Sequence, residues 1–204
     1  VARDKRRAYL NWDYWGKPVP GFGDPHARVF VVGLAPGAHG SNRTSRQFTG
    51  DASGNFFYPA LFRAGFANQP ESSHRGDALA LAKLYTAPVC RCAPPENKPT
   101  QQEMLNCQPF LERELALMKP KVIVVLGRIA FDSIIRIYSV RNSGWKFSHA
   151  AQFQLPDGTW LLCSYHPSQQ NTFTGKLTRE MFQAVFDQAR ALITRKAGYS
   201  TPKS

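Results

Sequence analysis

Three stretches of this sequence concentrate side chains that could bind a ligand or break a bond. The first runs Gly33-Leu-Ala-Pro-Gly-Ala-His-Gly-Ser-Asn-Arg-Thr44 and continues as Gln47-Phe-Thr-Gly-Asp-Ala-Ser-Gly54. Its glycines let backbone approach a ligand closely, and free amides in such a loop can hold an anion. The plainer reading is a long surface loop, since Gly and Asn are ordinary loop residues. Asp51 is its one carboxylate. It could also cap a helix beginning near Ser53, and the two roles are compatible. The second stretch is Tyr165-His-Pro-Ser-Gln-Gln-Asn-Thr-Phe-Thr-Gly175, followed by Lys176. A histidine held between a strand end and a proline has a fixed backbone, which suits an imidazole aimed at a ligand. The hydroxyls, amides, Phe173 and Lys176 suit a phosphate backbone beside an unstacked base. A turn with a satisfied histidine is the alternative. The third stretch, Val89-Cys-Arg-Cys-Ala-Pro-Pro-Glu-Asn-Lys-Pro-Thr100, is followed by Cys107. Cys92 and Cys107 make half a metal site, because zinc or an iron–sulfur cluster wants about four ligands. Cys90 is ambiguous, and Cys163 reads as buried core. The His-x-Glu with Pro-Cys-x-x-Cys pattern of zinc deaminases is absent, as is a Walker A loop, which argues against both classes.

Each stretch follows an apolar run that reads as a strand. Arg28–Leu34 and Lys121–Gly127 are β-branched and apolar on both faces, as in a covered parallel sheet. Leu84–Val89 and Trp160–Tyr165 are weaker versions. Helical patterns alternate with them. Thr100-Gln-Gln-Glu103 is a capping box opening a helix to about Met118. Residues 128–138 and 178–194 carry apolar spacing near 3.6. Alternation of this kind predicts a three-layer α/β/α sandwich around a four-stranded parallel sheet, with ligands at the carboxyl ends of the strands. The 204 residues read as a single domain. Residues 1–27 read as a basic and aromatic arm whose prolines and glycines forbid regular structure, and about 195–204 as a loose tail.

Composition narrows the partners. Hydrophobic content of 43% with 20% charged residues is that of a folded globular chain. Lys and Arg number 26 against 14 Asp and Glu, a net charge of +12, which points to a polyanion. No apolar run approaches the ~18 residues of a membrane span, and no signal-peptide pattern opens the sequence. Four cysteines without an export signal argue against a disulfide framework.

The motifs Gly33-Leu-Ala-Pro-Gly, His39-Gly-Ser-Asn-Arg-Thr, Phe48-Thr-Gly-Asp, Arg91-Cys-Ala-Pro-Pro and His166-Pro-Ser-Gln-Gln-Asn-Thr-Phe-Thr-Gly together resemble the uracil-DNA glycosylase superfamily. Family 5, of prokaryotic and often thermophilic type, is the nearest match. The resemblance runs over nearly the whole chain, including Tyr14-Trp-Gly-Lys-Pro-Val-Pro-Gly-Phe-Gly in the arm. It implies a monofunctional hydrolase that flips uracil out of double-stranded DNA and cuts the N-glycosidic bond, leaving an abasic site for base excision repair. In family 4 the first motif carries Glu, where this chain has Leu34, so the resemblance assigns the catalytic carboxylate to Asp51. His166 would donate to the base, together with backbone at Gly33, Ala35 and Gly37, and Phe48 would stack the ring. The Asn with which family 4 reads the uracil edge falls at Ala87 or its neighbour. A missing amide should loosen discrimination and admit hypoxanthine and other deaminated bases. DNA contacts fall on His39, Asn42, Arg43, Ser168 and Lys176, and a wedge for the vacated stack on Gln170 and Asn171. Family members carry a structural 4Fe-4S cluster on four cysteines. Two match Cys92 and Cys107, and the other two are expected upstream of Val1. The resemblance further implies a cytoplasmic, nucleoid-associated monomer. A non-catalytic nucleic-acid-binding module and an iron–sulfur redox sensor are the competing readings.

Overall fold

The computed structural model describes residues 2, 3, 5–140 and 144–194. The tail expected over 195–204 lies outside the described residues. The sheet is built on β2 (Val29–Gly33) and β4 (Val122–Leu126), every residue of which is buried. Such strands need cover on both faces, and they get it. They pair in parallel, Val29 opposite Val122, with β3 (Leu84–Pro88) parallel on the far side of β2 and β6 (Trp160–Ser164) parallel on the far side of β4.

The expected four parallel strands are therefore present, but the sheet has six. Its order is β1-β3-β2-β4-β6-β5, and both edge strands are antiparallel. β1 (Phe22–Gly23) lies inside the arm expected to be irregular. A side chain at Gly23, φ +136°, would run into the Leu84 carbonyl, so the glycine is what lets this short strand close on β3. β5 (Gln152–Gln154) is Gln-Phe-Gln, an alternation only three residues long and too short to read as a strand from sequence.

One face of the sheet is covered by α2 (Gly54–Arg63) and α6 (Arg179–Thr194), which bring Phe57, Leu61, Phe182 and Phe186 onto Val29, Val31 and Leu162. The other carries α3 (Gln101–Met118) and α4 (Arg128–Ile137), which bring Leu111, Leu115, Phe131 and Ile134 onto Phe30, Val32 and Ile123. The capping box of α3 forms as read: Thr100 Oγ1 accepts from the Glu103 amide at 3.2 Å and Glu103 Oε2 from the Thr100 amide at 2.7 Å. Two short helices, α1 (Ser41–Thr44) and α5 (Gln169–Phe173), stand in segments that read as loops. The chain passes from β2 to β3 on one side and later reaches β4 on the other side of β2. The reversal point thus falls between β2 and β4, where sheets of this kind open a crevice.

Candidate active site

The loop leaving β2 folds back over the sheet end and is almost wholly buried from Gly40 to Thr49. It is held by its own side chains and by Tyr58. Ser41 Oγ accepts from the Phe48 amide at 3.1 Å, Thr44 Oγ1 donates to the Thr49 carbonyl at 3.2 Å, and Tyr58 donates to the Gln47 carbonyl at 2.7 Å. Arg46 ties the same loop to residues 72–77 through Thr49, Ser72 and a 2.6 Å ion pair with Asp77. These bonds hold Phe48 at φ +53°, a conformation that costs a bulky residue about 1–3 kcal/mol and survives only where the surroundings enforce it. One face of the Phe48 ring rests on Phe57, centroids 4.3 Å apart, and its other neighbour is the His166 ring at 6.2 Å.

Three residues beyond Phe48, Asp51 turns its carboxylate back toward the loop. Oδ1 accepts from the Gly54 amide at 2.9 Å, so the capping role coexists with its position in the site. Gly37 and Gly40 face Oδ2, and a Cβ at Gly40 would land on the carboxylate itself. Burial pushes this carboxyl above the usual range, and the Gly54 and Ser53 amides and the Arg43 charge pull it part of the way back. We expect Gly40→Ala to displace Asp51 at a cost of about 1–3 kcal/mol of overpacking. A lowered melting temperature checks it.

His166 leaves the end of β6 with Pro167 behind it. Asn171 Nδ2 donates to the His166 carbonyl at 2.9 Å, and Ser168 caps α5 by accepting from the Asn171 amide. Burial pushes the imidazole down to about 4, so it is neutral at pH 7, with one ring N–H to donate. It borders a cleft of about 480 Å³ between the ends of β2, β4 and β6, lined also by Leu34, Gly127, Phe147, Asn171 and Lys176.

Several expected contacts are placed differently. Ala87 is fully buried and packs with Val32 and Cys163 in the α3–α4 layer, so its side chain points away from Phe48 and Asp51. Strand alternation decides this: Thr86, one residue earlier, reaches the loop by donating to Gln47 Oε1 at 3.2 Å. Asn42 and Arg43 are 8% and 5% exposed and hydrogen-bond inside the fold, out of reach of a phosphate. His39 accepts or donates at Nδ1 to Tyr14 Oη, 2.7 Å away, and stacks on Tyr9. Gln170 and Lys176 are exposed. Ala35 packs toward the α3–α4 layer, while Gly33 lies under Phe48 and Gln47.

The thiols of Cys90, Cys92 and Cys107 gather where β3 meets the start of α3, with Cys107 Sγ accepting from the Arg91 amide at 3.5 Å. Burial, then the Cys107 and Glu103 charges, push Cys90 up to about 12. Cys92 is exposed and Cys107 half-buried. Among the described residues no group of three or more His, Cys, Asp or Glu is arranged to hold a metal. Cys92 and Cys107 fit as two thiolates of a larger ligand set and do not make a site alone. Cys163 is fully buried in the core.

A sequence model of the uracil DNA glycosylase superfamily matches residues 20–190. The chain belongs to the uracil-DNA glycosylase superfamily. The matched segment holds all three strand-end loops of this superfamily member and starts after most of its arm. The chain is 52% identical over 189 residues to the type-5 uracil-DNA glycosylase of Thermus thermophilus, covering 92% of this chain and 86% of the relative. It is 49% identical over 196 residues to that of Mycobacterium leprae, covering 94% and 85%. With that of Mycobacterium bovis it shares 46% over 196 residues, covering 94% and 73%. No helix among the described residues is long and apolar enough to cross a membrane.

Proposed function

We propose that this superfamily member removes uracil from DNA by hydrolysing the bond between the base and deoxyribose C1′. The observation that carries the proposal is the 52% identity, over 92% of the chain, to a protein named type-5 uracil-DNA glycosylase. The residues at the strand ends support the reading. As the C1′–N bond breaks, its electron pair leaves with the base and the sugar becomes cation-like. Preorganised groups that meet both charges lower the barrier most. Asp51, ionised, faces the developing sugar cation and orients the water whose oxygen bonds to C1′. Neutral His166 donates its ring N–H to the base oxygen where negative charge grows. The flipped base stacks on the Phe48 ring in the space toward His166; the attacking water gives up a proton to solvent, and solvent supplies the one that the base takes up. Incubation with a uracil-containing duplex, followed by alkali to cut abasic sites, tests this. Intact strands with a folded protein would overturn it.

Base selection is proposed to be relaxed. On the face of β3 turned toward the loop, Thr86 is committed to Gln47 Oε1 and Pro88 has no hydrogen-bonding side chain, so neither reads a base edge. Few groups are then left unpaired by a wrong base, so hypoxanthine and other deaminated bases should also be released. The protein would act on double-stranded DNA as a cytoplasmic monomer, its +12 charge drawing it to phosphates.

Phe173 joins Gln170 as a candidate for the wedge. Asn171 is committed to the His166 carbonyl, whereas Phe173, in the same helix, is 80% exposed. It borders a second cleft with Phe56 and Arg179. Phe173→Ala should slow release from duplexes by roughly 5- to 150-fold, the equivalent of the ~1–3 kcal/mol of one base–aromatic stack. On single strands, which need no unstacking from a partner, the change should be smaller in the same assay.

Cys92 and Cys107 are proposed as two ligands of a 4Fe-4S cluster whose other two come from outside this sequence. Such a cluster would brace the loop after β3 against α3 and take no part in hydrolysis. In a chain carrying the further pair, Cys92→Ser or Cys107→Ser should lose iron after anaerobic purification, while Cys163→Ser keeps it. Stability should fall more than the chemical rate.

A further inference from the structure

We propose that Arg43 is a positioning residue for Asp51, and that the N-terminal arm is the part of the molecule that holds Arg43 in place. The proposal rests on the role given to Asp51 above. Arg43 sits on α1 at 5% exposure, and no carboxylate of the described residues lies within ion-pair reach of it. A buried cation without a paired anion is costly unless something else stabilises it. Here two aromatic rings of the arm do so: the guanidinium lies 3.9 Å from the Trp12 ring centre and 4.4 Å from that of Tyr9. The arm backbone is stitched to the same helix, Trp15 donating to the Arg43 carbonyl and Gly16 to the Asn42 carbonyl, each at 3.1 Å.

Caged in this way, Arg43 aims at the site. Its Nη2 donates at 3.2 Å to the carbonyl of Gly50, the peptide unit directly ahead of Asp51. Nε donates to the His39 carbonyl at 2.8 Å, and Nη1 is buried with no hydrogen-bond partner. Gly50 at φ +75° has no room for a side chain against Nη2, so loop and guanidinium are fitted to one another. The carboxyl of Asp51 is faced by Arg43 from α1, by Gly37 and Gly40 from the loop after β2, and by the Ser53 and Gly54 amides ahead of α2. Arg43 is the charged side chain that acts on it, while His166, beyond Phe48, stays neutral. The guanidinium therefore does two things. It fixes the peptide that aims the carboxylate, and it favours the ionised form that burial opposes. Tyr9 and Trp12 precede the segment that the superfamily model matches.

The test compares wild type with Arg43→Met, Arg43→Lys and Trp12→Ala. The Asp51 carboxyl is followed by carbon NMR titration of the free proteins, and single-turnover uracil release is measured across pH. Arg43→Met should move the Asp51 titration and the acid limb of the rate upward, the direction expected on losing a nearby opposite charge. Its rate should fall most at the acid end of the profile and recover as pH rises. Arg43→Lys should restore the limb, and Trp12→Ala should shift it in the Met direction by less, because water screens a charge it can reach. An Asp51 titration that Arg43→Met leaves in place overturns the proposal, and so does a rate lost equally at every pH. A drop of about 0.9 in the log–log salt slope of DNA binding would instead make Arg43 a phosphate contact. Should Arg43→Met not fold, Trp12→Ala decides by the same titration. A wild type that releases no uracil refutes the functional reading alone, since the titration needs no substrate.

Discussion

Asp51→Asn should reduce uracil release by about 10²–10⁴-fold, the range over which a positioned acid or base contributes, while raising the melting temperature at neutral pH. The two effects share a cause. The folded-state pKa of Asp51 lies above its unfolded value because burial penalises the charge. Folding therefore favours the protonated form. At low pH the group adds no strain, and as pH rises through the folded pKa the fold is destabilised by an increasing amount. Above that pH the native protein carries a buried carboxylate that its surroundings only partly repay. Asparagine keeps an oxygen for the Gly54 amide and removes the charge, so the variant is more stable and nearly inactive. The same reasoning gives the wild-type rate an acid limb displaced above the ordinary carboxylate range. Calorimetry at pH 4 and pH 8, with single-turnover assays on the same samples, checks it. The stabilisation should appear at pH 8 and shrink toward pH 4. A variant melting lower at both values would contradict the account.

His166→Ala should cost about 10²–10³ in single-turnover rate, as loss of one donor to a developing oxyanion does. The more telling outcome is in the pH profile. With its pKa pushed down to about 4, the imidazole is already neutral across the physiological range. Wild-type activity should therefore show no inflection near 6.5 that disappears in His166→Ala. Asn171→Ala, which frees the His166 carbonyl and loosens the turn, should lower the rate by less and leave the shape of the profile unchanged. A limb near 6.5 that His166→Ala abolishes would contradict this account.

Much of this molecule was legible in the chain because its signals are local. Val29–Gly33 and Val122–Leu126 are apolar on both faces, and only a doubly covered strand suits such a run. Thr100 and Glu103 cap one another three residues apart, so the start of α3 needs no tertiary information. Asp51 and His166 stand out because each follows a strand within a run of loop residues, at the sheet end where ligands bind. What the chain could not disclose depends on groups far apart in sequence. β1 exists only because the Leu84–Pro88 edge is there to pair with it, and two residues carry no pattern of their own. Ala87 and Thr86 differ in which face of the sheet they meet, and one step of register decides it. Arg43 and Asn42 are polar residues in a Gly-rich loop, and polarity alone reads as exposure. Their burial came from the loop folding back over the sheet and from Tyr9 and Trp12 closing above it. The sequence thus singled out the residues proposed to carry the chemistry, through type, position after a strand and family resemblance. The tertiary structure decided which of them are available to DNA and which are held inside to aim the others, because burial and cation–aromatic contact are properties of packing between distant segments.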